Sequence, residues 1–169
     1  MTETLVDIVA EDDRWDSFGL EALAERAVTA TLQQLGLGVT GFQLVVMGCD
    51  DSRIAELNAD FRGKAKPTNV LSWPADELAA EAPGQVPDRP APGTPDDPEP
   101  LGDIALAWET CAREAEEAGK PFADHVTHLV VHGLLHCLGY DHVDDADATL
   151  MEGLEVRILA SLGLSDPYS

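Results

Sequence analysis

Three observations predict an α+β fold, a small mixed four-stranded sheet packed by about five helices. Short β-branched runs of strand length alternate with longer segments of helical apolar spacing. The two kinds of segment follow one another without a strict βαβ repeat. The 169 residues, 44% of them hydrophobic, suffice for one sizeable core and are too few to expect two, so 1–169 reads as one domain.

In chain order, "TLVDIVAE" mixes β-branched residues with acids and predicts the first strand. "GLEALAERAVTATLQQLGLG" sets Leu20, Leu23, Ala24, Ala27, Val28 and Thr31 at helical spacing and stops in glycines. "GFQLVVMGCDD" is a second strand, followed by a short helix over "SRIAELNADF" with Asp51 or Ser52 as N-cap. "TNVLSWP" is a third strand closed by Pro74, and "LGDIALAWE" a fourth that runs into the helix "ETCAREAEEAG". Pro121 opens the helix "FADHVTHLVVHGLLHCLG". In the last helix Leu150, Leu154, Ile158 and Leu162 step by four. Between the third and fourth strands, about 75–100, lies a proline-rich acidic segment, poor in large apolar residues. It is expected to be a flexible loop outside the core.

No run approaches the ~18 apolar residues of a membrane span. The start "MTETLVDIVAEDD" has no basic n-region or apolar h-region, which points to the cytoplasm. Cys49, Cys111 and Cys137 are odd in number, form no CxxC pair, and suit free buried thiols in a reducing compartment. The formal charge of −22 opposes broad attraction to nucleic acid. Against it stands one short basic stretch containing Arg53, Arg62, Lys64 and Lys66, able to hold a phosphate. A partner would then have to deliver an RNA substrate.

The chemistry concentrates in "HGLLHCLGYDH", residues 132–142, and all five histidines lie between 125 and 142. Residues four apart share a helix face at a separation of ~6 Å, so His132 and His136 can reach one ion. His125 and His128 share the stripe. His128, His132 and His136 together would span ~12 Å of axis, too far for one metal. Gly139 can take the left-handed conformation that ends a helix, letting His142 fold back as the third ligand. Three neutral imidazoles and an open position describe a catalytic zinc site. Zinc peptidases carry a glutamate general base directly after the first histidine; Gly133 stands there, which weighs against peptide hydrolysis.

"HGLLHCLGYDH", "NADFRGKAKPTNVLSWP", "LGDIAL", "MEGLE" and the terminal "LGLSDPY" together resemble the YbeY family of bacterial endoribonucleases, in the family's order from about residue 58 onward. The resemblance implies a zincin-like fold with one Zn2+ ion on His132, His136 and His142, and an arginine important for cleavage at Arg62. It implies cleavage of single-stranded RNA, maturation of small-subunit rRNA at its 3′ end, ribosome quality control, and ribosomal partners. Ala65 stands where most members carry an acid, and the acidic insert is longer than the family's usual connection.

The mechanism expected on this basis has zinc activating water or a ribose hydroxyl, with Arg62 and His132 as the catalytic residues. The rivals are another metallohydrolase and a ribosome assembly factor with a structural metal. Met151 is expected in the core; Glu152 and Glu155 either support the metal ligands from behind or lie on the solvated face of the last helix, and the second is favoured. Asp141 either orients an imidazole or shapes the turn; Asp103 carries no signal beyond the resemblance.

Overall fold

The computed structural model describes residues 5–38, 40–75, 84–85, 87, 90–94, 96–141 and 144–167, the side chains of Leu5, Phe61 and Arg62 excepted. The elements run β1 (Leu5–Ala10), α1 (Asp13–Phe18), α2 (Leu20–Leu35), β2 (Phe42–Cys49), α3 (Asp51–Arg62), β3 (Val70–Pro74), β4 (Glu99–Ala107), α4 (Trp108–Ala118), α5 (Phe122–Cys137) and α6 (Asp145–Ser161). The sheet is mixed, in the order β1-β2-β4-β3, with β1, β2 and β4 parallel and β3 antiparallel to β4. The α+β expectation therefore holds, with α1 as a sixth helix that the spacing argument missed.

Strand alternation sorts the side chains between two layers. Phe42, Leu44 and Val46 of β2 and Ile104 and Leu106 of β4 face the main core with α2, α5 and α6. Cys49, Ala105, Ala107 and Leu71 face a smaller cluster completed by Ile54 and Leu57 of α3. The stripe expected on α2, from Leu20 to Thr31, is buried, and Met151 is fully buried as expected.

The N-cap of α3 is Asp50, whose side chain accepts from the Arg53 N–H at 2.8 Å, and so neither Asp51 nor Ser52. Asp51 instead accepts from the backbone and hydroxyl of Thr110 at 3.0 and 2.8 Å, tying α3 to the start of α4. Three successive residues of capping chemistry made the boundary ambiguous by one position.

The acidic insert joins β3 to β4 as expected. Its residues 76–83, 86, 88, 89 and 95 lie outside the described residues. The rest touches the body more than its composition implies: Pro87 is buried, the Gly93 N–H donates to the Gly41 carbonyl at 2.8 Å, and the Gly84 N–H donates to Asp147 Oδ1 at 2.7 Å. Gly41 has φ 86° and meets the Gly93 carbonyl where a Cβ would stand, so only glycine admits this approach.

All three cysteines are free and buried. Burial raises their pKa values, to about 12 for Cys49 and Cys137 and further for Cys111. At pH 8 a thiol of that pKa is ionised in about one molecule in 10,000, and the thiolate is the reactive form. Mass spectrometry after iodoacetamide treatment is expected to find no native adduct at pH 8, and all three cysteines labelled after unfolding. A rapidly labelled native cysteine would contradict this packing.

Candidate metal centre

The histidine face is a property of α5 and of the way that helix ends. The Gly139 N–H donates to the His136 carbonyl and the Tyr140 N–H to the Leu135 carbonyl, both at 3.0 Å. Gly139 sits at φ 98°. Together these make a Schellman cap, and they bear out the chain reversal expected at this glycine. Tyr140 is buried behind it.

The rings of His132 and His136 have centroids 4.8 Å apart and planes at 77°. Two imidazoles bound to one tetrahedral ion at 2.0–2.1 Å bring their centroids to about 5 Å, so this pair fits a shared metal. The next pair along the helix, His128 and His132, stands at 6.3 Å. Behind them lies Glu155 of α6, fully buried, with Oε1 2.6 Å from His132 Nδ1 and 3.6 Å from His128 Nε2. His128, His132 and Glu155 thus form a second group close enough to consider as metal ligands.

The expectation that Glu155 lies on the solvated face of α6 is therefore corrected. It shares a stripe with Met151 and Ile158 at helical spacing, and that stripe packs inward. An imidazole that binds a metal needs an acceptor for its other nitrogen. That requirement calls for an acid facing α5 without saying which one.

His125 belongs to different chemistry. Its Nε2 lies 2.9 Å from Glu114 Oε1, which also accepts from Asn69 Nδ2 at 3.0 Å. Asn69 in turn caps the start of β3, accepting from the Val70 N–H at 2.7 Å, while its carbonyl accepts from the Ala107 N–H at 3.1 Å. This chain of bonds registers the "PTNV" segment on α4 and α5, and neither Asn69 nor Glu114 stood out in the sequence. A cleft of about 170 Å³ opens between His125, His128, Lys120 and Ser165.

Gly133, in the position of the peptidase glutamate, points elsewhere. A Cβ there would stand 3.1 to 3.3 Å from three atoms of the buried Ile104 on β4. The residue after His132 faces the sheet, and its smallness lets α5 lie close on β4.

These features accompany sequence kinship over the whole length. The family model described as Endoribonuclease YbeY matches residues 6–163. The chain belongs to the YbeY family. It is 64% identical to the Endoribonuclease YbeY of Cereibacter sphaeroides, over 98% of this chain and 99% of that one. It is 60% identical to that of Ruegeria pomeroyi, over 97% and 98%. The solution structure of TM1509 from Thermotoga maritima is similar in fold, with a TM-score of 0.55 at 22% identity over 98% and 99% of the two chains.

Of the residues that the YbeY resemblance nominates, His132 and His136 come together on one face of α5. His142 and the Arg62 side chain lie outside the described residues. Arg62 is the last residue of α3, and Gly63 caps that helix at φ 69°. The turn that follows is held by Asn58, whose Nδ2 donates to the Lys66 carbonyl at 2.9 Å, and Lys64 and Lys66 are exposed on it. Among the described residues no helix is long and apolar enough to cross a membrane.

Proposed function

We propose that this chain is a metal-dependent endoribonuclease that cuts single-stranded RNA, with one zinc ion held by His132, His136 and His142. The observation that carries the reading is the His132–His136 pair, at the ring separation one ion requires, in a chain whose curated relatives are named Endoribonuclease YbeY. The zincin-like arrangement belongs to the same proposal.

When bound, zinc supplies a Lewis acid and a water of pKa ~7. The chain's own residues supply the rest. Arg62 offers a bidentate guanidinium to the scissile phosphate, where negative charge accumulates in the transition state. Lys64 and Lys66, exposed on the adjoining turn, hold the strand beside it by charge. His132 and His136 would hold the ion through ring nitrogens. Gly133 contributes no acid, which separates this reading from peptide hydrolysis. The proposed setting is rRNA maturation at the small-subunit 3′ end and ribosome quality control in the cytoplasm, with the ribosome or its proteins delivering RNA to an acidic body. Asp141 and Asp103 take no part in this mechanism.

The experiment is cleavage of a labelled single-stranded RNA by purified protein, by a chelator-treated and zinc-restored sample, and by Arg62→Ala. Cleavage should vanish with chelator, return with zinc, and fall about 100-fold or more in Arg62→Ala, the scale of losing one transition-state donor. Activity indifferent to all three treatments would sink the reading. The charge of −22 favours one rival, an assembly factor with a structural metal. That rival predicts ribosome binding by the native protein with no cleavage in any sample.

A further inference from the structure

We propose that Glu155 positions His132 by accepting its Nδ1–H, so that the ring would meet a metal through Nε2, without itself being a ligand. The proposal rests on the reading of His132 as a metal-binding residue.

Distance decides between the two roles. Two ligand atoms at 2.0–2.2 Å from a tetrahedral ion lie about 3.4 Å apart. Glu155 Oε1 and His132 Nδ1 are 2.6 Å apart, which is a short charge-assisted hydrogen bond and too close for joint ligation. His128 Nε2 lies 3.6 Å from the same oxygen, beyond hydrogen-bond range of it.

Burial makes the residue's purpose specific. Met151 and Ile158 fill the same stripe of α6 with apolar side chains. An aliphatic residue at 155 would pack there with no desolvation cost, whereas a carboxylate with no exposed surface costs several kcal/mol unless it is hydrogen-bonded. The fold carries that cost at Glu155, directly against Nδ1 of the His132 ring. A free histidine side chain favours the Nε2–H tautomer, which cannot bind a metal through Nε2. Glu155 reverses that preference before any metal arrives.

The test is the tautomer of His132 in metal-free protein, read from long-range proton–nitrogen-15 correlations above the ring's titration range. Zinc affinity is measured alongside, by competition with a chromophoric chelator. The wild type should show Nδ1–H. Glu155→Gln, whose amide oxygen still accepts, should keep that tautomer; Glu155→Leu should lose it and bind zinc about 10- to 100-fold more weakly. An Nε2–H tautomer in the wild type overturns the proposal, and that result needs no variant to fold. Equal, large losses of zinc affinity in Gln and Leu variants, with the tautomer unchanged in both, would make Glu155 a ligand and also overturn it. Should the wild type bind no zinc at all, the nuclease reading fails, while the tautomer still decides the role of Glu155.

Discussion

His136→Ala is expected to abolish stoichiometric metal binding and to lower RNA cleavage about 1,000-fold or more, while His128→Ala keeps its metal. The contrast separates two arrangements that share His132. In one, His132 and His136 hold the ion and stand 4.8 Å apart. In the other, His128, His132 and Glu155 are the ligands. Several kcal/mol of transition-state stabilisation come from a metal at a reacting phosphate, and ~4 kcal/mol is a factor of about 1,000. Removing a true ligand forfeits that contribution. Removing His128 enlarges the cleft it shares with His125 and deletes a contact 3.6 Å from Glu155, leaving the ion's nitrogens in place. Metal content per chain by elemental analysis and single-turnover cleavage rates read the result. A metal retained in His136→Ala and lost in His128→Ala would hand the site to the buried-glutamate group.

Much of this centre was legible in the sequence because it depends on spacing. A step of four from His132 to His136 fixes a shared helix face wherever the helix lies, and a glycine after the last periodic residue announces the chain reversal. Glu155 was not legible, because an acid in a helix ordinarily faces water and only the tertiary partner shows otherwise. The same holds for Glu114 and Asn69, whose bonds to His125 join segments distant in sequence. The contacts of the insert were not legible for a different reason. Its composition excludes an apolar core of its own, yet backbone groups such as the Gly93 N–H can still dock on the body. Helix α1 was missed because "DRWDSF" is too short to display a period.

That short helix has the largest expected effect on stability. Trp15→Ala is expected to destabilise the fold by about 3–5 kcal/mol, the usual range for a buried tryptophan. The indole is fully buried, and its N–H donates to the Cys49 carbonyl at 2.9 Å. It stacks edge-on against Trp108 at 5.0 Å and lies 5.8 Å from Phe122, so α1 is anchored at once to β2, α4 and the first turn of α5. Gly48 makes room for it, since a Cβ there would stand 2.4 Å from the indole Cγ. A domain of this size loses about 2–4 °C of Tm per kcal/mol, so the midpoint should fall by about 6–20 °C. Trp15→Phe should lose less, retaining ring packing while leaving the Cys49 carbonyl without its donor. Denaturation followed by circular dichroism checks both variants. A fall of under 1 kcal/mol in Trp15→Ala would mean that the indole is dispensable to the core. Phe122 is the first residue of α5, about three turns ahead of His132. A stable Trp15→Phe protein with unchanged metal affinity would then show that this aromatic cluster supports the helix without tuning its site.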